Sequence, residues 1–197
     1  MAAKPTALHF TPDAEANKLL AKEPLAVLIG MLLDQQVTME KAFSGPLELK
    51  KRLGGTLDAA AIAAMDQDEF VSLCCDFPAI HRFPGSMGKR THEMCRYLVE
   101  HHGGKAEKLW KGVKTGDELL LRLRALPGYG DDKARIFVGI LGKRLGVQPD
   151  GWETVAADWA SIADVDSFER VTEIREAKRA MKAAKQSVIA VKPPSSS

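Results

Sequence analysis

The stretch Leu-Pro-Gly-Tyr-Gly at residues 126–130 stands between two segments with helical patterns. Gly128 and Gly130 permit backbone conformations with positive φ and leave the neighbouring amide groups uncovered by side chains. Those amides lie at the start of the second segment, 131–145, where the helix dipole and free N–H groups favour an anion. Lys133 adds positive charge nearby. The stretch therefore predicts a phosphate-binding hairpin.

A carboxylate follows the second helical segment, in the turn Pro149-Asp150-Gly151. Proline and glycine on either side favour a turn that presents the aspartate to solvent. A carboxylate held near a reacting centre can stabilise positive charge or take a proton from water. Because Pro-Asp-Gly is also ordinary turn chemistry, the turn alone leaves both interpretations of Asp150 open.

The elements around these residues are all predicted to be helical, since no segment alternates like a strand. Thr11-Pro12-Asp13, Glu23-Pro24 and Thr115-Gly116 have the composition of helix starts. The segment from Met39 to Leu53 is helical in pattern, with an interruption expected near Ser44-Gly45-Pro46. Further expected elements are short helices at 57–65 and 67–75, a loop at 76–87, and helices at 89–102, 115–124, 131–145, 154–162 and 167–185.

Length and composition point to one medium-sized domain, because 197 residues with 45% hydrophobic content can bury a sizeable core. No apolar run approaches the roughly 20 residues that a membrane span needs. The chain starts without a signal-peptide pattern, so a cytoplasmic location is expected. Three cysteines, Cys74, Cys75 and Cys95, are too few for an all-cysteine metal site and are expected to be buried apolar residues.

The net charge of +2 conceals an uneven distribution. Residues 82–144 carry 14 Lys and Arg against 7 Asp and Glu, whereas residues 150–176 carry 2 against 8. A basic central segment is what a phosphate-binding face needs, and the hairpin falls inside it. Solvent-exposed helix faces without a ligand would carry the same charge, so the charge distribution alone does not decide between the two interpretations.

Taken together, three motifs resemble the helix-hairpin-helix superfamily of base-excision DNA glycosylases. They are the hairpin LPGYG, the segment LLDQQVT at residues 32–38, and KRTHEMCRYLVEHHGG at residues 89–104, which is similar to the helix that precedes the family's hairpin. In the endonuclease III-like members of this superfamily an essential aspartate lies some two dozen residues after the hairpin leucine, and Asp150 falls at that distance. The motifs occur in the family's order over roughly residues 25–155.

The resemblance implies an all-α, two-lobed fold with a cleft, and hydrolysis of the N-glycosidic bond of a base flipped out of double-stranded DNA. It implies that Asp150 stabilises the oxocarbenium-like transition state and orients water. Gln36 is the best match for the residue that fills the gap left by the base, with Gln35 as the other candidate. The residues expected to contact DNA at the hairpin are Leu126, Pro127, Gly128, Tyr129, Gly130 and Lys133, where a monovalent cation could also bind.

Members of the family that also cleave the DNA strand carry a lysine two residues after the second hairpin glycine. That position is Asp132 here, and Lys133 comes one residue late, about 100° further around the helix. The resemblance therefore implies a monofunctional enzyme. No cysteine follows Cys95, so no iron–sulfur cluster and no other metal or cofactor is expected. Asp150 departs from the family pattern because Pro149 and Gly151, rather than apolar and β-branched residues, surround it.

His81 is expected to border the base pocket, and Trp152 either to stack on the flipped base or to belong to the core. Two other functions stay open: a helix-hairpin-helix protein that binds DNA without chemistry, and a bifunctional glycosylase that uses Lys133. We expect a monomer with a central lobe of about 24–145. The second lobe is expected to combine the N-terminal helix with about 150–186, within a domain ending at 192, followed by a disordered tail at 193–197.

Overall fold

The computed structural model describes residues 5–176 and 179–180, and these fold into helices joined by short connections. Within that part of the chain no strand forms, so the all-α prediction is confirmed. The α-helices are α1 (Ala14–Lys22), α2 (Pro24–Leu33), α3 (Met39–Arg52), α4 (Ala59–Ala64), α5 (Gln67–Cys75), α6 (Pro84–His102), α7 (Gly116–Arg124), α8 (Asp131–Leu145), α9 (Trp152–Val155) and α10 (168–176). Short 3₁₀ helices occupy Ala106–Leu109 and Ile162–Asp164.

Most helix starts have a side chain that satisfies the free amides of the first turn. Oxygen atoms of Asp13, Thr38, Asp58, Asp66 and Thr115 accept hydrogen bonds from amides at the starts of α1, α3, α4, α5 and α7. The helices α2 and α6 instead begin with a proline, whose missing N–H costs nothing at that position. Local sequence therefore determines where these helices begin.

The centre of the core is α2, in which every residue from Leu25 to Leu33 is buried. It packs mainly against α3 and α1, and it also contacts α6, α8 and the 3₁₀ helix at Ala106–Leu109. Burying a leucine or isoleucine side chain contributes about 1.5–3 kcal/mol relative to exposure, so this ten-residue helix is a main source of stability. Its C-terminus at Leu33 opens into the loop that carries Gln35 and Gln36.

The helices α7 and α8 pack together on either side of the connection at residues 125–130. After α8 ends at Gly146, the chain pairs with the segment before α7, because Asp150 N donates to Lys114 O and Gly116 N donates to Asp150 O. From there the chain runs back along α8. Trp152 lies against Gly142, and the amide of Ala157 donates to Arg135 O at 3.1 Å.

Three predicted boundaries differ from the structure. The helix α3 continues through Pro46, which is buried and costs one backbone hydrogen bond rather than ending the helix. The helix α6 begins at Pro84, inside the segment expected to be a loop. Residues 154–162 do not form one helix, because the chain from Ala156 to Ser161 is held non-helical on the surface of α8.

The division into lobes stays a prediction, since the buried apolar residues form one continuous cluster. The N-terminal helix α1 packs on α2 and α3, while α7, α8, α9 and the 3₁₀ helix at Ile162–Asp164 pack on one another. The expected helix at 167–185 is observed over 168–176. Its remainder beyond 180 and the expected tail lie outside the described residues.

Candidate active site and DNA-binding hairpin

The hairpin has the backbone geometry that exposes amides at the start of α8. Gly128 has φ +82°, in the left-handed region, and Gly130 is an extended N-cap residue. No side chain caps α8, and a Cβ added at Gly130 would meet no atom within 4 Å. The first turn of α8 therefore has amides without a side-chain cap next to an open space at Gly130, and such amides favour an anion.

Gly128 has a second role, because it lets the hairpin approach α2 closely. A Cβ at this position would lie 2.5 Å from Leu32 Cδ1. The hairpin Leu126 is buried, and Pro127 is half-buried. The outer face of the hairpin is thus formed by backbone and by glycine, whereas its inner face packs on the C-terminal half of α2.

Tyr129, predicted among the DNA-contacting residues, points into the protein. Its hydroxyl donates to Leu28 O at 2.7 Å, and its ring packs edge-on against Phe137 at 5.8 Å between centroids. Burial raises the pKa of the Tyr129 phenol well above its usual value. Tyr129 therefore attaches the hairpin to α2 rather than reaching a nucleic acid.

Lys133 also points towards α2. Its Nζ donates to Leu32 O at 2.6 Å, in the last turn of that helix. Burial lowers the pKa of Lys133 to about 8; the Asp34 carboxylate opposes that shift, and the Arg90 guanidinium adds to it. As the one-residue offset predicts, the two side chains point in different directions: Asp132 is exposed, while Lys133 faces the interior.

The two glutamines after α2 have different environments. Gln35 is half-buried, and its side-chain amide donates to Met87 Sδ at 2.8 Å. Gln36 is exposed and has φ +55°; within the described part of the chain it is the single non-glycine residue with positive φ. Strained backbone of this kind persists where surrounding contacts enforce it, often at functional sites. The structure therefore separates a supporting glutamine, Gln35, from a presented one, Gln36.

His81 supports this loop from beneath and is almost fully buried. Its Nδ1 accepts from Phe83 N at 2.9 Å, so its Nε2 carries the proton and donates to Gln35 O, also at 2.9 Å. Both ring nitrogens are thereby occupied. His81 lies beside the predicted site, but it links the glutamine loop to the start of α6 and does not offer a free polar atom to a base. The neighbouring Phe83 is 45% exposed.

Asp150 and Trp152 lie away from the hairpin. The backbone of Asp150 pairs with the segment that precedes α7, at the end of α7 opposite the hairpin. Because α7 has nine residues, its two ends lie roughly 13 Å apart. Trp152 is buried, with its ring 2.3 Å from where a Cβ at Gly142 would lie. Of the two interpretations of Trp152, the structure supports the core residue. It does not bring Asp150 together with the hairpin.

A different carboxylate, Asp158, comes to the hairpin end of α8. The segment after α8 runs back along that helix as far as Arg135, one turn from the hairpin, where Ala157 N donates to Arg135 O. It then reverses towards the C-terminal end of α8, where Arg144 Nε donates to Ala163 O and Lys143 pairs with Asp164. Asp158 is exposed near the apex of this excursion. A sequence signal for it exists: Ala156 and Ala157 lead into Asp158, an apolar approach that Asp150 lacks.

The family model described as HhH-GPD superfamily base excision DNA repair protein matches residues 29–190, which is most of the chain. The chain therefore belongs to the HhH-GPD superfamily, whose members are proteins of base excision DNA repair. The predicted resemblance is thereby confirmed. No individual curated protein matches the chain closely enough to count as a relative.

The superfamily acts on DNA, and its members are DNA glycosylases. This places the hairpin in a DNA-repair context at the family level. Separately, across residues 5–176 and 179–180, none of the helices combines the length and the apolar content required to span a membrane.

Proposed function

We propose that this protein is a monofunctional DNA glycosylase of base excision repair. In this proposal the uncapped amides at the start of α8 bind a phosphate of double-stranded DNA, and exposed Gln36 enters the gap left by a flipped, damaged or mispaired base. Family membership over residues 29–190 supports the reaction class. The close contact between Leu32 and Gly128 supports this arrangement, because it brings the loop that carries Gln36 beside the hairpin.

We assign the catalytic carboxylate to Asp158. The single observation that carries this assignment is the hydrogen bond from Ala157 N to Arg135 O, which holds the next residue at the hairpin end of α8. Departure of the base with the bonding electron pair leaves an oxocarbenium-like sugar, which a nearby carboxylate stabilises. Water then attacks C1′, and its proton passes to the carboxylate or to the departing base. Asp150 is the alternative carboxylate.

The monofunctional assignment rests on two positions in the first turn of α8. Asp132 occupies the position two residues after Gly130, and a carboxylate cannot form an imine with the sugar. The following Lys133 is turned towards Leu32 O. Water is then the remaining nucleophile, and the product is an intact strand with an abasic site.

The decisive experiment is excision from a panel of duplex oligonucleotides, each containing one modified or mispaired base, followed by alkali to cleave abasic sites. The wild type is compared with Asp158→Asn and Asp150→Asn, which make the same chemical change at opposite ends of α8. We expect one lesion to give a product that Asp158→Asn loses and Asp150→Asn keeps. The reverse pattern would restore Asp150. Strand cleavage before alkali, with borohydride trapping, would show a bifunctional enzyme.

A DNA-binding protein without chemistry is the second candidate. The surroundings of Asp150 favour it, since Pro149 and Gly151 depart from the family pattern around the essential aspartate, whereas the uncapped amides of α8 could bind a phosphate without any carboxylate. In that case both asparagine variants would bind duplex DNA as the wild type does, and no lesion would give a product. Salt-dependent binding of undamaged duplex separates this outcome from a protein that does not bind DNA.

A further inference from the structure

The hairpin is attached to α2 by two hydrogen bonds one helical turn apart. Tyr129 donates to Leu28 O and Lys133 donates to Leu32 O, and the acceptors are four residues apart on the same face of α2. Gly128 packs directly on the Leu32 side chain between them. Motion of the hairpin relative to the C-terminus of α2 would therefore break specific contacts.

The Leu32 carbonyl has a particular position in α2. In a continuing helix it would accept from the N–H of Gln36, four residues later. The helix ends at Leu33 instead, the next two amides turn back onto Met31 O and Leu33 O, and Gln36 enters the left-handed region. Among the described residues, this turn leaves Leu32 O without a donor from the backbone, and the Lys133 ammonium group donates to it instead. A cation at this end also interacts favourably with the helix dipole.

We propose that Lys133 is a positioning residue that caps α2 and thereby holds the Gln36 loop in register with the phosphate-binding hairpin. This inference rests on the proposed roles of the hairpin and Gln36. It differs from two other roles for the same side chain, a phosphate contact and a nucleophile. The half-buried position of the amine and its 2.6 Å bond to Leu32 O favour the positioning role over both.

The other side of the loop is held independently, by His81 on Gln35 O and by Met87 on the Gln35 side chain. These contacts fix Gln35, whereas Lys133 fixes the helix end from which the loop departs. Loss of Lys133 should therefore loosen the loop without unfolding it. That expectation makes the role measurable in the free protein.

The first test is hydrogen exchange of the free protein, in wild type and Lys133→Met, with Lys111→Met as the control. Lys111 is exposed and follows Trp110, which lines a cavity with Leu145 at the end of α8 away from the hairpin. We expect the amides of Asp34 and Gln35, which donate to Met31 O and Leu33 O, to exchange at least tenfold faster in Lys133→Met and unchanged in Lys111→Met. Unaltered exchange of this loop in Lys133→Met would overturn the proposal, whether or not the protein is a glycosylase.

The second test uses DNA, a duplex with a tetrahydrofuran abasic analogue opposite 2-aminopurine. At saturating protein, we expect Lys133→Met and Gln36→Ala to lose the same share of the 2-aminopurine response, and the double variant to lose no more. The slope of log affinity against log salt should stay at the wild-type value. A slope reduced by about 0.9 would show a phosphate contact, and additive losses would show independent roles.

A borohydride-trapped adduct on an abasic duplex, lost in both Lys133→Met and Lys133→Arg, would show a nucleophile and overturn the proposal. If Lys133→Met fails to fold, Lys133→Ala replaces it in the exchange measurement, with the same tenfold increase expected. Lys133→Arg is the conservative variant, since arginine keeps the charge and the donor but cannot form an imine. Wild-type loop exchange in that variant is then the expected result. If the wild type does not bind the abasic duplex, the proposed function fails, while the exchange measurement still decides the role of Lys133.

Discussion

Ala157 N donates to Arg135 O at 3.1 Å, whereas Asp150, only seven residues earlier, is paired through its backbone with Lys114 and Gly116 at the far end of α7. The segment after α8 therefore has two parts. The first, at Asp150, packs at the end of the α7–α8 pair away from the hairpin, and the second, at Ala157, returns towards the hairpin. The two aspartates on this segment, Asp150 and Asp158, consequently have different surroundings, although both are exposed.

Asp158→Asn should reduce the rate of base excision by about 10²–10⁴-fold, the range for losing a positioned acid–base or electrostatic group. Single-turnover kinetics on the substrate found in the lesion panel measure this loss, and DNA affinity should change by less than threefold. Asp150→Asn should retain the wild-type rate within about threefold. Equal losses in both variants would point to a structural rather than a chemical effect.

Gly128→Ala and Gly130→Ala should separate stability from phosphate binding. Gly128 combines φ +82° with a Cβ position 2.5 Å from Leu32 Cδ1, so alanine should destabilise the fold by about 2–4 kcal/mol. Gly130 has ordinary φ and open space, so alanine should cost less than about 1 kcal/mol there. Denaturant unfolding measures both values.

The methyl group introduced by Gly130→Ala would lie beside the proposed phosphate. We therefore expect Gly130→Ala to bind duplex DNA more weakly while its stability falls by less than about 1 kcal/mol. Wild-type affinity in this variant would argue that phosphate does not approach the hairpin from the open side.

The stability of the protein should depend on the ionisation of Lys133. Its folded-state pKa of about 8 lies below the ordinary lysine value of 10.5, so the unfolded chain binds more protons between these two pH values. The free energy of unfolding contributed by this group therefore rises as pH increases from about 8 to 10.5. Relative to Lys133→Met, the wild type should gain on the order of 1–3 kcal/mol over that window, measured by urea unfolding. A flat difference would mean that the amine is as solvated as in the unfolded chain.

Trp152→Ala should act on stability rather than on base recognition. The ring is buried against Gly142, and removing a buried tryptophan typically costs about 3–5 kcal/mol. We expect a large fall in the urea midpoint, with the relative rates on different lesions unchanged where the variant still folds. A change in lesion preference at wild-type stability would place the indole in the base pocket instead. Gly142→Ala offers a second variant of the same contact and should be comparably destabilising.

Much of the local structure follows directly from sequence. Thr115 caps α7 and residues 131–145 form α8, because capping and helical periodicity act between residues a few positions apart. The hairpin and the presented Gln36 were also within reach, since glycine spacing and family motifs identify them. The boundary at Pro46 was not predictable in this way, because tertiary packing compensates for the lost hydrogen bond.

The sequence by itself determined the helical class, the family and the hairpin. Only the tertiary structure decided which carboxylate approaches that hairpin and where Tyr129, Lys133 and Trp152 point. The physical reason is that these directions depend on long-range contacts. Gly139 and Gly142 leave room on α8 for the returning chain, and its close packing there decides that Asp158 rather than Asp150 reaches the hairpin end.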